Sequence, residues 1–494
     1  MYWLIIKKDK KLSNKMLFNT ITFLLFFIIF FITYWLFKEK HFKYQNLFLL
    51  IASYIFYGWW DTRFLSLIIL STLVDYVVGI QIYKSVSLKH KKLYLYISLI
   101  FNLGLLGFFK YYNFFISSLQ ESITALGFSI DTWTLTIILP VGISFYTFQT
   151  LSYSIDVYRG ELKPTKDFIS FAAFVTFFPQ LVAGPIERAS HLLPQFLSPR
   201  KFSFQDARIG INLITYGLFK KVVVADRLAL YVNNIFNDIG NANTISLLIG
   251  IVFFSLQIYC DFSGYSLMAR GLSKLLGFDL MVNFKRPYLA TSIPDFWRRW
   301  HVSLSTWFRD YVYIPLGGNR VSTFKIYLNL FIVFLISGLW HGANWTFIVW
   351  GALHGIFQVI YLVYKKATYS NNTVLQKKND RFLLKFFKIL LVYSLVCFAW
   401  IFFRSQTIEE AVYFISKILE FDFSINLAQL SAFKGPLNLL LSFFAILILL
   451  LSYLLPENLN FKRNSDYLLF NFVIILLIIL LGVNGKAGFI YFQF

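Results

Sequence analysis

The run FIVFLISGLWHGANWTFIVWG over 331–351 carries no charge and a single titratable side chain, His341. An imidazole in a stretch apolar enough to span a bilayer is costly to keep, and it marks a functional or hydrogen-bonded position. Near neutral pH it can take a proton from a hydroxyl. Small residues surround it: Ser337, Gly338, Gly342 and Ala343, with Asn344 close by. Gly338 and Gly342 have the spacing that lets a second helix approach closely. The same missing side chains could leave room for a thin ligand to reach the ring. The alternative is polar glue, with His341 bonding across helices. His354 reads as structural or interfacial.

A second chemistry-bearing stretch is 261–325. It holds Arg286, Arg298, Arg299, Arg309 and Arg320, interleaved with Trp297, Trp300 and Trp307. Ser292-Ile293-Pro294-Asp295 reads as a helix start, with Ser292 as cap and Pro294 in the first turn. The pattern predicts a helix from there to about Ile314, ending at Pro315 with a sharp turn at Gly317-Gly318. On such a helix His301, Ser305 and Arg309 line one side. Trp300, Leu304, Trp307 and Tyr311 form an aromatic side. That suits either the wall of a wet cavity or an interfacial helix whose Arg and Trp sit at headgroup level.

Several reaction classes are not indicated. No Gly-x-Ser-x-Gly elbow exists for a serine acyl-enzyme. No His-Glu-x-x-His motif, Cys/His cluster or Gly-rich phosphate loop exists, so no metal or bound cofactor is expected. Cys260 and Cys397 lie far apart in apolar stretches and build no disulfide framework. What remains is direct transfer, in which a base activates a hydroxyl that attacks an activated acyl group.

The elements that must hold these residues are membrane helices. Of 494 residues, 58% are hydrophobic and only 14% charged, against about 45–50% and 25% in soluble domains. A soluble enzyme and a disordered chain are both excluded. Apolar runs near 17–37, 45–60, 64–83, 93–109, 134–152, 167–182, 209–225, 245–260, 326–340, 344–364, 384–403, 436–455 and 467–483 predict about 11–14 spans, some re-entrant. The net charge of +22 comes largely from Lys clusters between runs: Lys7, Lys8, Lys10, Lys11 and Lys15, then Lys84, Lys89, Lys91 and Lys92, then Lys377 and Lys378. This is the pattern of cytoplasmic loops facing anionic lipid, and nucleic acid is not expected as a partner. The first long run is read as a retained span rather than a cleaved signal. Asp75, in Thr72-Leu73-Val74-Asp75-Tyr76, reads as a paired structural carboxylate. Thr407 with Glu410 has capping-box spacing, and the helix that follows is amphipathic, suited to the membrane interface or to packing on the bundle.

Taken together, the motifs resemble the membrane-bound O-acyltransferase (MBOAT) family, in its bacterial polysaccharide-acetylating branch. The resemblance is carried by Asp261-Phe262-Ser263-Gly264-Tyr265, Arg286-Pro287-Tyr288, FWRRWHVSLSTWFRDYVYIPLGGNR over 296–320 and LWHGANWTFIVWGALHG over 339–355. SFYTFQTLSYSIDVYRG over 144–160, PQLVAGPIER over 179–188, MLFNT from Met16 and FFRS over 402–405 extend it along nearly the whole chain. The chain departs from the family at 1–15, a basic extension before the usual start that makes Met16 a candidate initiator. It also has Leu267 where an acidic residue is common, and Arg270 where a small or apolar one is.

The resemblance implies one membrane domain over 16–494, an all-α polytopic bundle with a central tunnel or funnel and a catalytic core at about 140–360. It implies His341 as the catalytic histidine and His301 as its partner. Asn344, Trp340, Ser305, Arg309, Asp310 and Asp261, in the matching motifs, are candidate substrate- or donor-binding residues. Lys285, Arg286, Arg298 and Arg299 could hold a donor's phosphates or face lipid headgroups. The implied reaction takes an acyl group, often acetyl, from a cytoplasmic thioester such as acetyl-CoA towards an exported polysaccharide. An SGNH-type acetyltransferase outside the membrane is the implied partner, and the bacterial cytoplasmic membrane the location. A transporter or a non-catalytic scaffold is the alternative, though no inverted repeat supports transport.

Overall fold

The computed structural model describes residues 16–37, 41–128, 130–131, 133–182, 184–369, 382–424, 435–456, 459–461, 463–483 and 488–490. The extension 1–15 and the pair Lys377 and Lys378 lie outside the described residues. The described residues are helical, with no strand among them. Among the described residues eight helices are long and apolar enough to cross a membrane, and Ile21–Leu36 and Phe168–Leu181 are shorter apolar stretches. The protein is therefore a multi-pass membrane protein.

Several apolar runs are broken where the sequence stops being able to continue a helix. In the run 134–152 the helix starts only at Ile143, after Pro140 and a left-handed Gly142 (φ 73°). The run 167–182 divides at Thr176-Phe177, with Pro179 in the first turn of its second piece, where a missing N–H is harmless. Conversely, the run 245–260 does not stop at the polar stretch: one helix extends from Thr244 to Leu275 and carries Asp261 in its interior.

Two compact units are present. The first comprises the chain up to Leu218, Tyr265–Met281 and Asn460–Asn471. Its helices are α1 (Ile21–Leu36), α2 (Phe42–Gly58), α3 (Leu65–Lys84), α4 (Leu88–Leu106), α5 (Tyr112–Ala125), α6 (Ile143–Arg159), α7 (Phe168–Val175), α8 (Phe178–Leu181) and α9 (Ala189–Phe196), followed by α10 (Phe204–Phe219). Phenylalanines fill its core, and Phe178 meets Phe26, Phe30 and Phe56 at centroid distances of 5.7, 5.4 and 5.6 Å. Buried polar groups bond to one another, as groups removed from water must. Arg200 donates to the Tyr34 hydroxyl (2.7 Å) and to Asn46 (2.6 Å). Asp75 is fully buried and accepts from Ser98, Ser154 (2.8 Å) and Asn102 (2.8 Å). It is structural, as expected, but hydroxyls and an amide hold it rather than a cation.

The second unit comprises Phe219–Gly264, Val282–Leu459 and Phe472–Phe494, and every candidate site residue falls within it. Its elements are α11 (Asp226–Asn237), the first two-thirds of α12 (Thr244–Leu275), α13 (Ile293–Arg299), α14 (Val302–Phe308), α15 (Thr323–His341), α16 (Trp345–Tyr369), α17 (Phe382–Arg404), α18 (Ile408–Leu419), α19 (Pro436–Leu451) and most of α20 (Asn464–Leu481). A π-turn over Lys220–Ala225 precedes α11. The Thr407 cap forms as expected: its hydroxyl accepts the Glu410 N–H at 3.1 Å. Ala411 and Phe414 are the buried side of α18, and Val412 is 55% exposed, so the helix packs on the bundle with one edge and leaves apolar side chains outside.

Candidate active site

The charge-free run 331–351 holds the break between the apolar runs 326–340 and 344–364. It is the corner of a helical hairpin: α15 ends at His341 and α16 begins at Trp345. Glycines allow the two arms to touch. A Cβ on Gly338 would lie 2.3 Å from the Phe347 carbonyl oxygen and 3.2 Å from the Gly351 Cα, and one on Gly351 would lie 2.4 Å from the Phe334 carbonyl oxygen. The helix approach expected from the small residues is therefore real. The gap at Gly342 itself is filled by the Phe347 ring, which stands where a Cβ would lie.

His341 is 3% exposed. Its ring lies 5.0 Å from Trp340, 4.9 Å from Trp350 and 5.5 Å from Phe403, each near edge-to-face. Trp350 stacks on Trp400 at 5.8 Å, and Trp400 meets Trp300 at 5.2 Å. Trp350 also meets His354 at 4.9 Å, and Trp297 donates its indole N–H to His354 Nδ1 at 3.3 Å. Edge-to-face aromatic contacts fix ring angles, so the imidazole is held by rings on several sides. His354 is fully buried, structural rather than interfacial.

His301 reaches the same cluster from a different element. The helix expected over 292–314 begins as predicted, with Ser292 accepting the Asp295 N–H at 3.2 Å. It then breaks. His301 has left-handed backbone (φ 43°) and stands between α13 and α14. A π-turn over Arg309–Tyr313 follows, and Gly317 and Gly318 take positive φ in the expected turn. The break has a cause in partners outside the helix: Val302 N–H donates to the Asn283 carbonyl (3.0 Å), Lys285 N–H donates to the Arg299 carbonyl (2.9 Å), and the Asn283 side chain accepts from Ser303. His301, Ser305 and Arg309 accordingly do not form one polar stripe. His301 is fully buried, whereas Arg309 is exposed and paired with Asp310 at 2.7 Å.

The His301 ring lies 4.6 Å from Phe262 and 6.1 Å from Trp340. Its Nδ1 is 3.4 Å from Ser303 Oγ, and among the described residues nothing stands within hydrogen-bonding distance of its Nε2. Burial pushes its pKa from 6.5 down to about 3, so the ring is neutral at physiological pH and can offer one donor and one acceptor. His301 and His341 thus share Trp340 as a common neighbour, one at the corner of a hairpin and one at a helix break.

The other candidates separate into bound and unbound groups. Asn344 caps α16, accepting the Thr346 N–H at 3.0 Å and donating to the Gln406 carbonyl at 2.7 Å. Ser305 donates to the Trp300 carbonyl at 3.3 Å. Arg299 pairs with Asp295 at 2.9 Å. Arg286 donates to the Leu455 carbonyl at 2.8 Å and lies over the Tyr453 ring. Asp261 is buried and pairs with Lys221 at 2.8 Å, while its other oxygen accepts the Ile490 N–H at 2.7 Å. Lys285 and Arg298 are exposed. Among the described residues no group of three or more His, Cys, Asp or Glu could hold a metal ion. Trp350, Trp400 and Phe262 were not legible as site residues. Their signal is only that aromatic residues recur near both histidines.

The family model of the membrane-bound O-acyltransferases matches residues 54–403. A probable alginate O-acetylase of Pseudomonas aeruginosa is 42% identical over 419 residues, covering 84% of this chain and 76% of that protein. A peptidoglycan O-acetyltransferase of Helicobacter pylori is 37% identical over 426 residues, covering 80% and 78%. A teichoic acid D-alanyltransferase of Bacillus subtilis is 29% identical over 237 residues, covering 46% and 60%. With the family model spanning both histidines and most of the helices described above, the chain belongs to the membrane-bound O-acyltransferase family and is a multi-pass O-acyltransferase.

Proposed function

We propose that this protein moves an acetyl group from a cytoplasmic thioester, acetyl-CoA being the expected donor, towards a hydroxyl of an exported cell-surface polysaccharide. The bacterial cytoplasmic membrane is its place of work, and an SGNH-type acetyltransferase outside the membrane is its expected partner. The observation that carries this reading is the pair of buried imidazoles, His341 and His301, packed on one indole, Trp340. In the proposed step His341 takes the proton of the acceptor hydroxyl as its oxygen attacks the thioester carbonyl. The tetrahedral centre collapses, the carbon–sulfur bond breaks, and the departing thiolate recovers the proton from the imidazolium. Neutral His301 can donate a hydrogen bond to the oxyanion that develops between these events, the stage at which a fixed donor helps most. The exposed cations Lys285 and Arg298 are suited to a donor's phosphates.

The acetyl group is favoured over D-alanine because the matches to O-acetylating relatives extend over 80% or more of this chain and the D-alanyltransferase match over 46%. The experiment is transfer from labelled acetyl-CoA in membrane vesicles containing the full chain. His341→Ala is expected to lower transfer by about 100-fold or more, with unchanged protein in the membrane. Undiminished transfer would overturn the assignment. Comparing O-acetyl content of exopolysaccharide and peptidoglycan in cells with and without the protein identifies the acceptor.

A further inference from the structure

A buried ionic knot in the second unit ties down residues 488–490. Lys221, in the π-turn before α11, is 1% exposed and lies 2.9 Å from Asp226 and 2.8 Å from Asp261. It also donates to the Gly488 carbonyl at 3.2 Å. Asp261 accepts the Ile490 N–H at 2.7 Å, and the Val222 carbonyl accepts the Val483 N–H at 3.0 Å. π-turns misalign the backbone ladder and leave carbonyls for other partners, and Val222 uses its own for the C-terminal segment.

Phe489 stands between the tied residues Gly488 and Ile490 and is fully buried. Its ring lies 5.8 Å from Phe262 at 60°. Phe262 directly follows Asp261 on α12, and its ring lies 4.6 Å from the His301 imidazole at 82°. The ionic knot and the aromatic row therefore start from adjacent residues. A buried ion pair is weak evidence for stability, since desolvation offsets much of its attraction. Holding a register is the better-attested use of such a pair. The geometry points to residues 488–490 as a positioning element for His301: the knot fixes the segment, Phe489 backs Phe262, and Phe262 sets the angle of the imidazole. None of these groups touches the reacting atoms. This assignment rests on the role proposed for His301 in transfer.

The test uses the full chain in membranes and the variant Phe489→Ala. Turnover is expected to fall about 10- to 100-fold, the effect of a slightly misplaced catalytic group, with KM within about twofold, since only the chemical step is affected. Phe489→Leu is expected to restore most of the loss. In a His301→Asn background Phe489→Ala is expected to have no further effect, because residues acting through one group are not additive. In protein carrying 13C-labelled histidine, the His301 resonance is expected to move in Phe489→Ala. Wild-type turnover in Phe489→Ala, an equal fold-loss in the His301→Asn background, or an unmoved His301 resonance each overturns the positioning role. If His301→Asn alone keeps full turnover, the role of His301 in transfer is lost, and the resonance alone decides whether the segment sets the ring. Should Phe489→Ala fail to accumulate, the same readings are taken on Phe489→Val, whose shorter side chain leaves Phe262 partly unbacked, and there a moved His301 resonance supports the role and an unmoved one overturns it.

Discussion

His301 stays uncharged because burial outweighs the weak hydrogen bonding that would favour a cation, and this gives its stability contribution a definite sign. The unfolded chain binds a proton there near 6.5, whereas the folded chain binds one only near 3. Stability contributed by the neutral ring is therefore full above the unfolded value and is lost as pH falls from about 6.5 towards 3. The melting temperature of the native protein should drop more between pH 7.5 and pH 5 than that of His301→Asn; equal drops would show that another group titrates. Asn344 makes a second residue-scale case. It was expected at the substrate, yet both of its polar groups hold the hairpin corner. Asn344→Ala should cost about 1–2 kcal/mol as a lost cap, read as a lower melting temperature. A variant with unchanged melting and lost transfer would return Asn344 to the chemistry.

At the scale of elements, sequence patterns fixed starts better than continuations. The caps at Ser292 and Thr407 are local, made of residues three positions apart, and both form. The break at His301 depends on Asn283, eighteen positions upstream in sequence, whose carbonyl and side chain take the N–H and hydroxyl groups of Val302 and Ser303. No helical periodicity encodes a partner of that kind. The hairpin corner, by contrast, falls where the apolar runs 326–340 and 344–364 part, and only the close packing of its arms is a long-range feature. The contact between α15 and α16 leaves no room for a methyl group at Gly338 or Gly351. Gly338→Ala should therefore cost about 1–3 kcal/mol through overpacking, measured by thermal unfolding in detergent. An unchanged midpoint would mean that the arms separate easily.

For the molecule as a whole, composition was enough to exclude a soluble protein, and the helical, multi-pass architecture follows it. The number of spans was less legible, because hydropathy records apolar length and Pro140, Gly142 and Pro179 interrupt it. The motif resemblance marks both histidines as candidates, and the structure places both against Trp340. What brings them together was not legible, because it is a set of rings contributed by α12, α15, α16 and α17. The ionic knot is likewise a long-range feature: Lys221, Asp226 and Asp261 are unremarkable apart. Replacing Lys221 with Met leaves two buried carboxylates unpaired, which should cost about 3–5 kcal/mol. The measurement is the amount of folded protein recovered from membranes, and near-native recovery would show that the carboxylates find water.

The backbone at His301 sits in a region that asparagine and glycine tolerate and most other side chains avoid. An alanine scan at that position consequently removes an imidazole and adds conformational strain in one stroke. His301→Gly deletes the ring while relieving the chain, and His301→Asn keeps a polar tip in a comfortable conformation. The defect of His301→Gly reports loss of the whole ring without added strain, and the part recovered in His301→Asn reports what a polar side chain alone supplies.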